Sequence, residues 1–173
     1  MSKVPTGYTR LENSQRHPVP NTRLAGPANP NEVLSVSVRV RRRPDAPPLP
    51  DVNHWAFTPA GERQYVSREE FADRYGADPA DLEQIADFAK TAGLHVVESS
   101  AARRTVVLSG TVAQMSAAFG VTLAQYKSGD EEYRGREGFI HVPAALANIV
   151  EGVFGLDNRR MAHPATNDGA ITP

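Results

Sequence analysis

Between residues 78 and 120 a capped helix, a glycine stop, two short strands and a second capped helix follow one another almost without spare residues. Asp78 has the chemistry of an N-cap and Pro79 suits the first helical position. Leu82, Ile85, Ala86 and Ala89 then recur on one helical face until Gly93 stops it. "LHVVE" and "RTVVLSG" read as strands of an antiparallel hairpin joined by the turn-like "SSAAR". Thr111 and Gln114 have capping-box spacing, and Val112, Met115 and Phe119 line a helix that ends at Gly120. Two apolar helix stripes flanking a hairpin cannot close a core alone; they need a common sheet surface.

"VLSVSVRVRRR" supplies it. Leu34, Val36, Val38 and Val40 alternate with Ser35, Ser37, Arg39 and Arg41, the period of a strand with one buried face. "VTLAQY" directly after Gly120 reads as another strand. The order strand, helix, strand, strand, helix, strand is an α+β, ferredoxin-like split βαβ: an antiparallel four-stranded sheet with two helices on one face and the other face free. A further short helix is expected from Ser67, where Ser67 and Glu70 form a capping box, to Gly76; Phe71 and Tyr75 share its face, and it joins the next helix as one bent unit.

The flanks differ in character. Residues 1–32 hold five of the 14 prolines and little apolar periodicity, so they read as an extended N-terminal arm of low order and poor core material. Pro44, Pro47, Pro48 and Pro50 make an exposed loop. Beyond the fourth strand come a polar excursion "KSGDEEYRGREG", an extended "FIHVP", a short helix "PAALANIV" opened by Pro143, and the apolar "GVFGL". From Asp157 onward nothing could build a core. The expected division is an arm over 1–32, a ferredoxin-like domain over 33–156 and a C-terminal linker over 157–173.

A length of 173 residues suits one modest core. Nineteen basic against twenty acidic residues leave a formal charge of −1, which gives no field to draw in nucleic acid or an anionic membrane. With no cysteine there is no disulfide, thiol nucleophile or thiolate metal site. No apolar run approaches the ~20 residues of a bilayer span, and "MSKVPTGYTR" lacks the hydrophobic centre of an ordinary signal peptide.

Candidate chemistry is sparse. Glu69 with Asp73, and Glu83 with Asp87, place carboxylates four apart on helices, a spacing that acid/base work can use in a pocket. No nucleophile accompanies them, so solvated helix surface is the expected role. His17, His54, His95, His141 and His163 are scattered without metal-ligand spacing. Ser109 and Gly110 precede the Thr111 cap, so turn and cap chemistry accounts for them. Arg39, Arg41, Arg42 and Arg43 are interleaved with valines and prolines rather than stacking aromatics, which points to a solvated strand end or a protein interface.

Several stretches together resemble a known family: "GPANPNEVLSVSVRVRRR", "REEFADRYGADPADLEQIADFAKTAGL", "RRTVVLSGTVAQMSAAFGV", "EYRGREG" and "VPAALANIVEGVFGLDNR", in order over about residues 26 to 160. They resemble the activation propeptide of the sedolisin, or kumamolisin-like, serine-carboxyl peptidases. The resemblance implies the same ferredoxin-like architecture and a pro-region without a catalytic domain. "SGTV" at Ser109 is not the family's Ser-Gly-Thr-Ser nucleophile motif, and Glu69 and Asp73 fall inside the propeptide match, so this chain is expected not to be an enzyme. No cofactor or metal is expected on it; the family's calcium ion belongs to the catalytic domain. The implied function is inhibitor and intramolecular chaperone of a cognate catalytic domain, in cis or in trans, removed by acid-triggered proteolysis of a precursor secreted to the extracellular space. Asp157, Asn158, Arg159, Arg160, Met161, Ala162, His163 and Pro164 would be the inhibitory, cleavable linker, and "GAITP" resembles the lead into a mature enzyme. Because the family matures in acid, Glu131, Glu132, Glu151, Asp157, His141 and His163 are candidates for a pH latch. The competing class is a free-standing ferredoxin-like protein-binding module with no peptidase attached.

Overall fold

The computed structural model describes residues 4–17, 19–49, 51, 56–63, 65–129 and 131–159. Within them run strands β1 (Tyr8–Arg10), β2 (Arg23–Pro27) and β3 (Val33–Val40), helices α1 (Arg68–Tyr75) and α2 (Pro79–Thr91), and the hairpin β4 (His95–Ser100) and β5 (Thr105–Thr111). Helix α3 (Val112–Ala118) follows, then β6 (Ala124–Ser128), β7 (Glu131–Gly135), β8 (His141–Pro143) and β9 (Val150–Phe154).

Strand alternation dictates the main layer. Val36 stands opposite Leu108 and Val38 opposite Val106, so the valines and leucine of β3 and β5 project to one side. Ile85 and Ala89 of α2, Met115 of α3 and Phe119 cover that side, each at most 1% exposed. Phe88 meets Phe119 edge-on with centroids 5.7 Å apart, tying the end of α3 to α2. Burying each such aliphatic or aromatic side chain contributes about 1.5–3 kcal/mol, so this layer is the main source of stability. The helices begin where their caps dictate: Ser67 and Glu70 bond reciprocally at α1, Asp78 accepts from Ala80 N with Pro79 following at α2, and Thr111 and Gln114 bond reciprocally at α3. Arg41 extends the first strand and grips Asp81 of α2 through two hydrogen bonds of 2.7 and 3.0 Å.

The sheet order is β4-β5-β3-β9, antiparallel throughout, which is the ferredoxin-like split βαβ. Its fourth strand is β9, however, and not the stretch expected after Gly120. That stretch forms β6 and pairs with β2 and β7 in a separate three-stranded sheet. Alternation fixes which face a strand buries but not which neighbour it takes. The expected polar excursion contains β7, whose Tyr133 stacks on Tyr126 of β6 at 5.4 Å and closes a small second core. The expected helix "PAALANIV" shrinks to a single 3-10 turn over Ala144–Leu146, because Ile149 and Val150 are drawn into the main core and the start of β9. The expected arm is more ordered than its prolines suggested. β1 pairs with β8, β2 pairs with β6, and Leu11 and Ala28 are buried in the main core.

Candidate interface and linker exit

The side of the main sheet away from the helices carries the residues that alternate with the core. Cross-strand partners put Ser35 beside Ser109 and His95, Ser37 beside Val107 and Phe154, and Arg39 beside Thr105 and Gly152 on this side. Short serines keep the surface low, and apolar groups stand out of it, among them Val33 and Phe154, 67% and 60% exposed. The Phe154 ring lies over Gly152, where an added Cβ would come within 2.9 Å of it, so the ring is held near the sheet plane. Glu98 pairs with Arg103 at one rim, and Arg39 approaches Glu151 at 3.9 Å towards the other. A serine-floored surface with an aromatic anchor and a charged rim suits contact with another protein.

The chain leaves the sheet after Phe154 through Gly155, whose φ of +103° is open to glycine and lies in a region that other residues rarely adopt. From there it is stapled to β7. Asn158 N donates to the Arg134 carbonyl at 3.0 Å, and Arg134 N donates to Asn158 Oδ1 at 2.6 Å. The buried Arg134 guanidinium donates to the carbonyls of Leu156 at 3.2 Å and Gly155 at 3.4 Å and forms an ion pair with Glu32. Next, Arg159 N donates to Asp157 Oδ1 at 3.0 Å, and Arg159 Nη2 lies 2.9 Å from Asp157 Oδ2 as an ion-pair contact without hydrogen-bond alignment. The Arg159 guanidinium sits 6.0 Å from the Tyr133 ring centre. A cleft of about 320 Å³ opens beside this exit, lined by Val19, Glu131, Glu132, Tyr133, Asn158 and Arg159.

Burial shapes the electrostatics underneath. The Tyr126 hydroxyl, pushed up to about 12 mainly by burial and then by its 2.9 Å hydrogen bond to Glu137, stays protonated. Arg136 is pushed down to about 10, first by burial and then by Arg16 and Arg159, with Asp157 acting in the opposite sense. Its bonds of 2.6 Å to the carbonyls of Gly138 and Ser14 hold it as a cation at neutral pH.

The sequence-derived candidates fall as follows. Of the expected linker, Asp157, Asn158 and Arg159 are docked as described; Arg160, Met161, Ala162, His163 and Pro164 lie outside the described residues. The expected latch groups stand on separate elements: Glu131 and Glu132 on β7, His141 on β8, Glu151 on β9 and Asp157 beyond it. Glu151 contacts Arg104 at 3.2 Å, Glu132 lies 3.6 Å from Lys127, and His141 Nδ1 lies 3.2 Å from the Gly120 carbonyl. Glu69, Asp73, Glu83 and Asp87 are exposed on helix surfaces. Among the described residues no group of His, Asp and Glu could hold a metal ion, and no helix is long and apolar enough to cross a membrane. Sequence reasoning missed Arg134 and Glu32; the signal was the "EYRGREG" and "PNEV" stretches, whose charges look like ordinary surface in a linear reading.

The fold is thus a two-layer domain with an open sheet face and a stapled C-terminal exit, and the chain belongs to the pro-kumamolisin activation domain family, whose model matches residues 20–159. Among its relatives are kumamolisin of Bacillus sp. (strain MN-32), 35% identical over 154 residues, and tripeptidyl-peptidase sed5 of Aspergillus fumigatus, 32% identical over 164 residues. These alignments take in 89% and 86% of this chain but only 28% of each relative.

Proposed function

We propose that this chain is the propeptide of a sedolisin-type serine-carboxyl endopeptidase, acting as inhibitor and intramolecular chaperone of a catalytic domain. The observation that carries the reading is the family match across nearly the whole folded body, in a chain corresponding to 28% of kumamolisin and 28% of tripeptidyl-peptidase sed5. The open face of the main sheet, with Phe154 and Val33, covers the enzyme. The segment from Asp157 to Pro164 runs on into the substrate cleft. Binding the native enzyme in preference to its unfolded chain stabilises the native state by mass action, the thermodynamic half of chaperoning. The chain itself supplies no catalytic group and no cofactor, and a calcium ion belongs to the catalytic domain. The precursor is extracellular, and acid releases the propeptide as interface carboxylates among Glu131, Glu132, Glu151 and Asp157 lose charge and His141 and His163 gain it.

Titrating the purified chain against a mature kumamolisin-like peptidase at neutral and at acidic pH, while following the tail by mass spectrometry, tests this. Tight inhibition that fades in acid as the segment beyond Asp157 is cut is the expected result. An inhibition constant indifferent to pH removes the latch. Absence of inhibition, together with unchanged refolding of the catalytic domain when the chain is added, removes the propeptide reading altogether.

A further inference from the structure

We infer that Arg134 is a positioning residue that aims the C-terminal segment, a role that rests on the propeptide reading and refines it. The linker emerges from β9 with Leu156 buried in the main core, and the residues that follow are held from another sheet. They are held by β7, in the separate three-stranded sheet, through the reciprocal backbone and side-chain bonds between Arg134 and Asn158. The Arg134 guanidinium completes the arrangement from beneath. One side chain at 5% exposure joins the carbonyls of Gly155 and Leu156 to Glu32, the residue that leads into β3. Glu32 is itself fixed, because its carbonyl accepts from Val112 N at the start of α3 at 2.8 Å.

Three parts of the fold therefore meet on one guanidinium: the entry to the first strand of the main sheet, the exit from its last strand, and the accessory hairpin. Only a planar fork of donors serves a carboxylate and two carbonyls in different directions at once. The accessory sheet adds little to the main core, and its evident use is to carry this clamp. With the clamp closed, the chain at Arg159 has one direction, fixed relative to the open face of the main sheet. A body docked by that face then delivers the following residues to one place on its partner, and the ordering cost of the linker is met before binding. With the clamp open, the same body still docks but its tail samples many directions.

Hydrogen exchange on the 173-residue chain and inhibition in trans of a mature kumamolisin-like peptidase test this together. In Arg134→Met, exchange at the Asn158 and Arg159 amides is expected to rise at least about tenfold while Val38 and Val106 in the main sheet stay within about twofold. Inhibition is expected to weaken by a similar factor, about tenfold, through the lost pre-organisation. A rise shared equally by Val38 and Val106 would make Arg134 a general stability residue, and unchanged exchange at Asn158 and Arg159 would remove the clamp; either result overturns the inference. So does full inhibition by a variant whose Asn158 and Arg159 amides have been freed. If Arg134→Met does not fold, Asn158→Ala removes the side-chain half of the staple, the bond that Arg134 N donates to Asn158 Oδ1, and leaves the guanidinium paired, with a local rise at the same amides expected. The exchange measurement needs no peptidase, so failure of the wild-type chain to inhibit counts against the propeptide reading, while the amides alone judge the clamp.

Discussion

Gly155 and Tyr126 show how single residues carry weight that their place in the sequence does not announce. At Gly155 the backbone turns with φ of +103°, and an added Cβ would lie 2.6 Å from the Ser35 carbonyl oxygen. Gly155→Ala is expected to cost at least about 2 kcal/mol from backbone strain and contact together, read from urea denaturation. In sequence, "FGL" announces only a glycine after an apolar pair; that the turn must pass tightly over β3 becomes visible once β9 is known to lie beside it. Tyr126 makes a prediction at alkaline pH. Its hydroxyl is raised to about 12, by burial first and by Glu137 second, with Tyr133 and Asp157 adding to the effect. The folded state therefore holds the proton that the unfolded chain gives up near 10. The associated stability is full below pH 10 and is lost as pH rises through 12, an effect of order 2 kcal/mol. Denaturation midpoints of wild type and Tyr126→Phe between pH 8 and 12 should converge as pH rises, since the phenylalanine has no proton to lose; parallel curves would count against it.

At the level of elements, the parts most legible in sequence were those whose ends are set by local chemistry. Both capping boxes, the Asp78-Pro79 start and the β4–β5 hairpin stand where the sequence put them, because each is decided by residues within one turn of each other. The fourth strand of the sheet, the accessory sheet and the pairing of β1 and β2 were not legible, because each depends on partners tens of residues away. Arg134 and Asn158, 24 residues apart in the chain, belong to the same category. The two capping boxes also differ in consequence. Helix α3 buries Val112, Met115 and Ala118, whereas α1 buries only Tyr75 and leaves Phe71 44% exposed. Thr111→Ala should therefore cost about 1 kcal/mol of global stability. Ser67→Ala should fray α1 locally, seen as faster exchange of its amides, with the denaturation midpoint hardly moved.

For the whole molecule, the question is which of its two sheets meets the partner. The three-stranded sheet offers Leu24, 66% exposed on β2, and the main sheet offers Phe154, 60% exposed on β9, so exposure alone does not choose between them. Surroundings do. Phe154 lies over Gly152 with Ser37 and Val107 beside it, a low and continuous floor around an aromatic ring, and interface energies concentrate on such anchors. Leu24 sits beside a strand irregularity, opposite Tyr126, and lines with Tyr126 and Phe139 a concave cleft rather than a level floor around an aromatic ring. Phe154→Ala is accordingly expected to leave stability within about 0.5–1 kcal/mol, as for other exposed positions, and to weaken inhibition of the peptidase by about tenfold or more. Leu24→Ala should change neither. The opposite pattern, with inhibition lost at Leu24 and kept at Phe154, would move the docking surface to the accessory sheet. The clamp at Arg134 would then lie within the interface itself, and its effect on inhibition would be direct contact rather than aim.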